Sequence, residues 1–208
     1  MTDGRRRLIA AVALVCAAVF TVFTILVTSG DTHGLDTSAF DTIGHVRAPW
    51  LDRTAKVITH LGLLVFVGPA VLLAAGALFR AGRRGRATAL VLGAALTWVA
   101  VWITKWAVDR PRPSAPLVHT AGQSFPSGHA ANSVGWFALA LALTVLISSR
   151  AARVAIVTAG ALLALVVGLS RIYLRAHYIS DVIAGEALAI TMYAVCVLAV
   201  TRRVTRIG

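Results

Sequence analysis

The sequence predicts an all-α, polytopic membrane protein: a bundle of six transmembrane helices with both termini cytoplasmic. Of its 208 residues, 58% are hydrophobic and only 13% charged, and the mean hydropathy is +0.82. Such a chain is too apolar for an ordinary soluble domain. A helix needs about 20 apolar residues to cross a bilayer, and six runs approach that length, so residues 1–208 are predicted to form one membrane-embedded domain. The runs are residues 8–28, 61–79, 88–103, 130–147, 154–169 and 182–200.

The arginines predict the orientation of these runs. Twelve of the 20 Lys and Arg lie at the N-terminus, in two short loops and at the C-terminus, which share one side of a six-span topology. Loops rich in Lys and Arg stay cytoplasmic, so residues 29–60, 104–129 and 170–181 are expected on the extracellular or periplasmic side of the cell (cytoplasmic or inner) membrane. The net charge of +12 is therefore attributed to topology and not to a nucleic-acid surface. The twelve are Arg5, Arg6, Arg7, Arg80, Arg83, Arg84, Arg86, Arg150, Arg153, Arg202, Arg203 and Arg206.

The first run and the segment that follows it are predicted to be helical. The first run follows three arginines like the start of a signal peptide, but it is long and lacks a small-residue cleavage site, so a retained helix is expected. Residues 31–60 alternate acidic, apolar and small side chains, which favours one or two short helices in the interface. Their histidines His33, His45 and His60 lack the clustering of metal ligands and are interpreted as polar interfacial groups.

The third run ends in a basic, proline-rich segment, residues 105–113. Pro111 and Pro113 stop the helix and stiffen the chain, which presents Arg112 on an extended loop. Lys105 and Asp109 are four residues apart and are expected to pair on the helix. Taken alone, this segment also fits basic residues that merely anchor a span at the headgroups.

A second polar segment, residues 125–129, precedes the fourth run. Pro126, Ser127 and Gly128 suit a helix start, where free backbone N–H groups and the helix dipole favour an anion. His129 follows in the first turn. A capped helix whose histidine reaches water is an equally simple interpretation of this segment alone.

A third polar segment, residues 170–181, precedes the sixth run. His177 and Asp181 are four residues apart, so on a helix the carboxylate holds one ring nitrogen and leaves the other directed outward. A His–Asp contact that only stabilises the helix start is the alternative, but it leaves Arg171 unexplained. Because the three segments share one predicted face, their cations and histidines are expected to converge on a single anion. They are Lys105, Arg112, Arg171, His129 and His177.

These segments together resemble the type-2 phosphatidic-acid phosphatase, or lipid phosphate phosphatase, superfamily, which includes the vanadium-dependent haloperoxidases. Its signature is Lys-x6-Arg-Pro, then Pro-Ser-Gly-His, then Ser-Arg-x5-His-x3-Asp. The chain matches every position in order from about residue 60 onward. The matching positions are Lys105, Arg112-Pro113, residues 126–129, Ser170-Arg171, His177 and Asp181.

The resemblance implies a role for each of these residues. His177 attacks phosphorus and becomes a transient phosphohistidine, Asp181 orients it, and His129 protonates the leaving oxygen and later activates water. No metal and no cofactor are expected. The phosphoryl oxygens are bound by Lys105, Arg112, Ser127, Gly128 and Arg171. Fixed donors of this kind suit a transition state whose charge is spread over oxygens.

The expected function is hydrolysis of a membrane lipid phosphate or diphosphate on the outer face. An isoprenoid diphosphate such as undecaprenyl or decaprenyl diphosphate is favoured, followed by phosphatidic acid and phosphatidylglycerol phosphate. A phosphotransferase of the same family, which passes the phosphate to a lipid or sugar, is the alternative. A haloperoxidase is disfavoured because that activity belongs to soluble relatives.

A noncatalytic transporter or channel is a weaker hypothesis, because it predicts charges in the middle of spans. Apart from Glu186, to which no role is assigned, the charges lie at span ends. Arg110 and Arg175 lie beside the signature and are interpreted as solvated loop charges, or as ligands for the second phosphate of a diphosphate.

Overall fold

The structure, a computed structural model, describes residues 2–204, with side chains described through residue 200. The predicted all-α membrane fold is confirmed, and no β-strand occurs within residues 2–204. Arg202, Arg203 and Arg206, used for the predicted orientation, lie outside the described side chains. The helices are α1 (Asp3–Ser29), α2 (His33–Gly44), α3 (Pro49–Ile58), α4 (Leu64–Arg80), α5 (Arg84–Val108), α6 (Gly128–Leu143), α7 (Arg150–Tyr173) and α8 (Ile179–Val204), with 3₁₀ turns at Thr59–Gly62 and Thr144–Leu146.

Five helices are long and apolar enough to cross a membrane: α1, α5, α6 with its 3₁₀ extension, α7 and α8. The predicted second span, residues 61–79, is divided differently. Residues Pro49–Gly62 and Leu64–Arg80 qualify only as a pair bent by 48°, which gives six spans if the pair counts as one. The bend follows from Leu63, whose extended backbone (φ −72°, ψ 141°) separates the 3₁₀ turn from α4. With 17 residues, α4 is about 26 Å long, short of the about 30 Å of a hydrocarbon core.

The helices that carry the polar segments extend beyond the predicted apolar runs. Helix α5 continues to Val108 and α7 to Tyr173, so Lys105 and Arg171 lie inside helices and not in loops. The predicted pairing of Lys105 with Asp109 is wrong. Asp109 caps α5 in the left-handed conformation (φ 48°), and its backbone N–H donates to the Lys105 carbonyl at 3.0 Å. The Lys105 Nζ turns instead to the carbonyl of Gln123 at 2.6 Å.

Helix α8 lies at the centre of the bundle and packs against α1, α5 and α6. The buried face of α8 is built largely from small residues. Gly185 makes a tight contact with backbone, because a Cβ there would lie 2.6 Å from the backbone oxygen of Ser127. The start of α6 therefore approaches the backbone of α8 more closely than any side chain would permit.

The segment between α1 and α4 contains two short helices, α2 and α3, which dock on the ends of α7 and α8. Asp36 of α2 accepts hydrogen bonds from the backbone and side chain of Ser180 at 3.1 and 2.8 Å. The Tyr173 hydroxyl donates to Asp52 of α3 at 2.7 Å. Residues far apart in sequence thus surround the end of the bundle where the three polar segments meet.

Candidate functional site

His177 lies in the loop between α7 and α8 and is only 1% exposed. The loop folds back on the last turn of α7, where the backbone N–H groups of Ala176 and His177 both donate to the Arg171 carbonyl at 3.0 and 3.2 Å. Arg175 makes this reversal with a left-handed backbone (φ 51°). The imidazole is thereby fixed in the interior, beside the ends of both helices.

The carboxylate of Asp181, in the first turn of α8, holds one side of the His177 ring. Its Oδ2 lies 3.4 Å from His177 Nδ1 and also accepts from the Ser124 hydroxyl and, at 3.0 Å, from the Tyr178 backbone N–H. The opposite ring nitrogen, Nε2, lies 3.2 Å from Nη1 of Arg112. Since Arg112 only donates, Nε2 is its acceptor and the ring proton belongs on Nδ1. The predicted His–Asp pair is therefore present, and Nε2 carries the unprotonated lone pair, which accepts a hydrogen bond from Arg112.

The surroundings keep this lone pair unprotonated. Burial lowers the pKa of His177 to about 4, with a further lowering by the charges of Arg171 and Arg112, while the Asp181 carboxylate opposes the shift. The ordinary histidine pKa is about 6.5. His177 is therefore neutral at neutral pH, as a nucleophile must be.

Arg112 is oriented by backbone carbonyls. Its Nε donates to Gly122 at 2.9 Å, Nη2 to Ala121 at 2.8 Å and Nη1 to Ala176 at 2.8 Å. The guanidinium plane is thus fixed by neutral acceptors and keeps its full positive charge. It stands directly in front of His177 Nε2.

Arg171 and Lys105 add two further cations. Arg171 is 4% exposed, and its Nη1 donates to the Thr59 hydroxyl at 2.6 Å. Its buried Nε has no hydrogen-bond partner among the described residues. Lys105 is half-buried and interacts electrostatically with Arg112, Asp181 and Arg171. An unsatisfied buried donor is costly, and an oxyanion placed among these cations would satisfy it.

The start of α6 forms another wall of the site. Ser127, which is fully buried, caps the helix by accepting the Ala130 N–H at 3.4 Å, and its own N–H donates to the Asp181 carbonyl at 2.9 Å. Gly128 is the first residue of α6 and His129 the second. His129 is half-buried and interacts electrostatically with Arg171, His177 and Arg112. The structure thus brings all eight predicted residues to one end of the bundle, and their chemical roles remain predictions.

The contact between α8 and the start of α6 leads to a test of packing. We expect Gly185→Ala to destabilise the fold by about 1–3 kcal/mol, because the added Cβ meets backbone that no rotamer change relieves. The melting temperature in detergent measures this. Gly76→Ala in α4 is the matched control, since its Cβ has no neighbour within 4 Å and alanine favours a helix. An equal melting temperature for both variants would contradict the tight contact.

Sequence reasoning missed the residues that surround the His–Asp pair. Arg110, predicted to be a solvated loop charge or a ligand for a second phosphate, instead bridges the carboxylates of Asp36 and Asp181 at 2.6 and 2.5 Å. That prediction is wrong because α2 supplies a buried carboxylate in front of it. Ser124 directly precedes the motif of residues 125–129, and this adjacency was a signal that could have placed it at the site. Asp36 and Thr59 gave no signal, since they lie in a polar segment without a motif.

Two other charged residues lie near the site, and one of them, Arg175, differs from expectation. The guanidinium of Arg175, predicted to be solvated or phosphate-binding, stacks on the Phe40 ring of α2 at 4.6 Å. Glu186 points toward Gly168 of α7, and its Oε1 has no partner among the described residues. Neither contact brings these side chains to His177.

Comparison with known proteins finds a matching family and a relative of similar sequence. A family model described as the PAP2 superfamily matches residues 86–205. Phosphatidylglycerophosphatase B from Bacillus subtilis (strain 168) is 33% identical over 154 residues, which cover 71% of this chain and 74% of that protein.

Two solved structures resemble the fold. The first, a transmembrane PAP2 type phosphatidylglycerolphosphate phosphatase from Bacillus subtilis, has a TM-score of 0.77 and 25% identity. The alignment covers 93% of this chain and 97% of that one. The second, Aquifex aeolicus LpxE, has a TM-score of 0.62 and 26% identity. The alignment covers 81% of this chain and 95% of that one. The similarity therefore extends through nearly the whole bundle.

Proposed function

Because the chain belongs to the PAP2 superfamily and is a membrane lipid phosphatase, we propose that its substrate is phosphatidylglycerol phosphate, hydrolysed through a phosphohistidine on His177. The order of substrates differs from the sequence-based expectation, which placed an isoprenoid diphosphate first. The relative and the first solved structure, both from Bacillus subtilis, carry names that specify the phosphatidylglycerol phosphate reaction. In addition, Arg110 is bound to two carboxylates and is not free to receive a second phosphate.

The convergence of three cations on His177 Nε2 carries this proposal. Arg112 lies 3.2 Å from that nitrogen, Arg171 has an unpaired buried Nε, and Lys105 interacts with both arginines. Among the described side chains, Asp181 is the carboxylate that interacts with the ring, and it is already bound by Arg110. The excess positive charge suits a phosphate dianion, whose transition state needs fixed donors at its equatorial oxygens.

The reaction proceeds in two displacements. The cycle begins with His129 protonated beside the bound phosphate dianion. His177 Nε2 attacks phosphorus, the bond from phosphorus to the glycerol oxygen breaks, and His129 donates its proton to that oxygen. His129 then takes a proton from water, whose oxygen attacks the phosphohistidine and releases inorganic phosphate. Asp181 stabilises the charge that develops on the ring, through Nδ1. Both histidines return to their initial states, so one water is consumed in each cycle.

Phosphate release from purified protein in detergent tests this function. We expect release from phosphatidylglycerol phosphate to exceed release from an isoprenoid diphosphate, without an added acceptor and with a chelator present. His119→Ala is the control for histidine removal, because His119 is exposed in the neighbouring loop. Preferential hydrolysis of the isoprenoid diphosphate would contradict phosphatidylglycerol phosphate as the substrate. Release only when an acceptor lipid or sugar is added would instead indicate a phosphotransferase.

We further propose that the site faces the outside of the cytoplasmic membrane, with both termini inside, on the support of the arginine distribution. A membrane-impermeant thiol reagent tests this in intact cells, with Cys16 and Cys196 replaced by serine. His119→Cys is expected to react and Arg83→Cys to be protected, since both positions are exposed at opposite ends of α5. Reaction at position 83 with protection at 119 would reverse the topology.

A further inference from the structure

The guanidinium of Arg110 is enclosed by acceptors from two distant parts of the chain. Nη1 donates to Asp181 Oδ1 at 2.5 Å and to the Ser180 hydroxyl at 2.7 Å. Nη2 donates to Asp36 Oδ2 at 2.6 Å and to the Thr32 hydroxyl at 3.1 Å. The side chain is 14% exposed, against 2% for Asp36 and 0% for Asp181. Arg110 therefore joins two buried carboxylates, which would otherwise repel each other.

The ring of Tyr178 completes the enclosure. The guanidinium carbon of Arg110 lies 4.0 Å from the centre of that ring, a favourable stacking position for a cation. One face of the arginine is thus covered, and both terminal nitrogens are occupied by carboxylates. Arg110 is held as part of the protein framework and is not presented to a ligand.

The two oxygens of Asp181 have separate partners. Oδ1 accepts from Arg110, whereas Oδ2 faces His177 Nδ1 and accepts from Ser124 and from the Tyr178 N–H. With Oδ1 engaged, the carboxylate has a single orientation about its terminal torsion. That orientation directs Oδ2 at the ring.

Asp36 in turn fixes Arg110. Besides Nη2, it accepts from the backbone N–H and the hydroxyl of Ser180, the residue immediately before Asp181. One carboxylate of α2 therefore holds both the arginine and the backbone at the start of α8. This series of contacts, from Asp36 through Arg110 to Asp181, ends at His177.

We propose that Arg110 and Asp36 are positioning residues for His177: Asp36 fixes Arg110, and Arg110 holds Asp181 so that its Oδ2 orients Nδ1 of the ring. This inference rests on the proposed function for its kinetic consequences. Neither residue contacts the phosphate. Arg110 bridges two carboxylates, with one terminal nitrogen on each. Lysine, with a single nitrogen, does not reproduce this geometry.

The kinetic test compares Arg110→Gln, Arg110→Lys and Asp36→Asn with the wild type. We expect Arg110→Gln to lower kcat about tenfold to a hundredfold through misplacement of the nucleophile, with KM changed less than threefold because Lys105, Arg112 and Arg171 remain. Arg110→Lys should recover part of the loss. Asp36→Asn should act in the same direction with a smaller effect.

Dependence on Asp181 separates positioning from general structural support. In an Asp181→Asn background, Arg110→Gln should cause no further loss of kcat, because the group through which it acts is already altered. Arg47→Gln is the matched control, since it removes an arginine from an exposed 3.8 Å pair with Asp52 in the same segment and should leave kcat unchanged. Equal losses in both backgrounds, or a raised KM with unchanged kcat, would overturn the proposal.

The pH profile supplies a readout that a purely structural role would not move. The charged or titratable groups around the ring are Asp181, Arg112, Arg171 and His129. Loss of the Arg110 charge leaves the Asp181 charge less compensated, which favours the protonated ring. The acid limb of kcat/KM should therefore move to higher pH in Arg110→Gln. Ionisation of the substrate is common to all variants, so the difference between the profiles belongs to the protein.

Titration of the His177 ring by NMR makes the outcome independent of substrate. Arg110→Gln should raise the pKa of the ring whether or not a lipid is hydrolysed. An unchanged pKa would refute the positioning role, whereas a raised pKa in a protein inactive on every lipid tested would refute only the proposed function. If Arg110→Gln does not fold, Asp36→Asn is measured instead. It removes a negative charge and leaves Arg110 to compensate Asp181 alone, so the pKa of the ring should fall, and an unchanged pKa would again refute the proposal.

Discussion

His177→Ala is expected to lower kcat by about a thousandfold or more, because no other described side chain places an unprotonated nitrogen before Arg112. The cations of the site remain, so inorganic phosphate should still bind to the variant. Steady-state release of phosphate measures the loss, with the melting temperature as the check on folding. Activity within tenfold of the wild type would remove His177 as the nucleophile.

The intermediate gives a second view of the same prediction. A rapid alkaline quench with lipid radiolabelled in its phosphate should trap phosphoenzyme in the wild type. His177→Ala should trap none. Label retained in His177→Ala would place the covalent bond elsewhere.

The role of Asp181 follows from its contact with Nδ1 of the same ring. The double variant Asp181→Ala with His177→Ala should be no slower than His177→Ala alone, because the carboxylate acts through a ring that is already absent. Multiplying losses would show a separate contribution from Asp181.

Arg171→Ala is expected to lower kcat/KM by about a hundredfold to a thousandfold, the typical loss for a donor aimed at transition-state charge. Arg171→Lys should recover only part of the loss, because an ammonium lacks the planar fork of the guanidinium. Thr59→Val, which removes only the hydrogen bond to Nη1, should cost roughly fivefold. Comparable activity in all three variants would contradict a phosphate contact.

In Arg171→Ala, thermal stability should change in the opposite sense to activity. Arg171 is buried, and its Nε has no hydrogen-bond partner among the described residues, so its removal relieves an uncompensated donor. We expect the melting temperature of Arg171→Ala to equal or exceed that of the wild type without phosphate. Added phosphate should stabilise the wild type and not the variant. A variant that is destabilised without phosphate would instead assign Arg171 a structural role.

The main helices, and the approach of the motif residues to one end of the bundle, were predictable because each signal is local. Apolar runs set the helices, and their connectivity places residues 105–129 and 170–181 at one end of the bundle. The failed pairing of Lys105 with Asp109 also has a local cause, since Asp109 adopts a left-handed cap and leaves the helix. The division of the second span follows from one extended residue, Leu63, within an otherwise apolar sequence.

The supporting residues were not predictable because their contacts are distant in sequence. Asp36 and Arg110 are 74 residues apart, and Thr59 and Arg171 are 112 apart. No periodicity or motif in residues 31–62 distinguishes these two side chains from their polar neighbours. Only packing of α2 and the 3₁₀ turn against the ends of α7 and α8 brings them to their partners.

Asp36 and Thr59 precede residue 86, where the match to the family model begins, yet each bonds to an arginine beyond that residue. The two parts of the gene are therefore poorly suited to independent exchange. A recombinant that joins the first third of a relative to the remainder of this chain would retain every signature residue. It would nevertheless be impaired unless the donated part supplied a carboxylate for Arg110 and a hydroxyl for Arg171, so compatible crossovers are expected to preserve these two pairings.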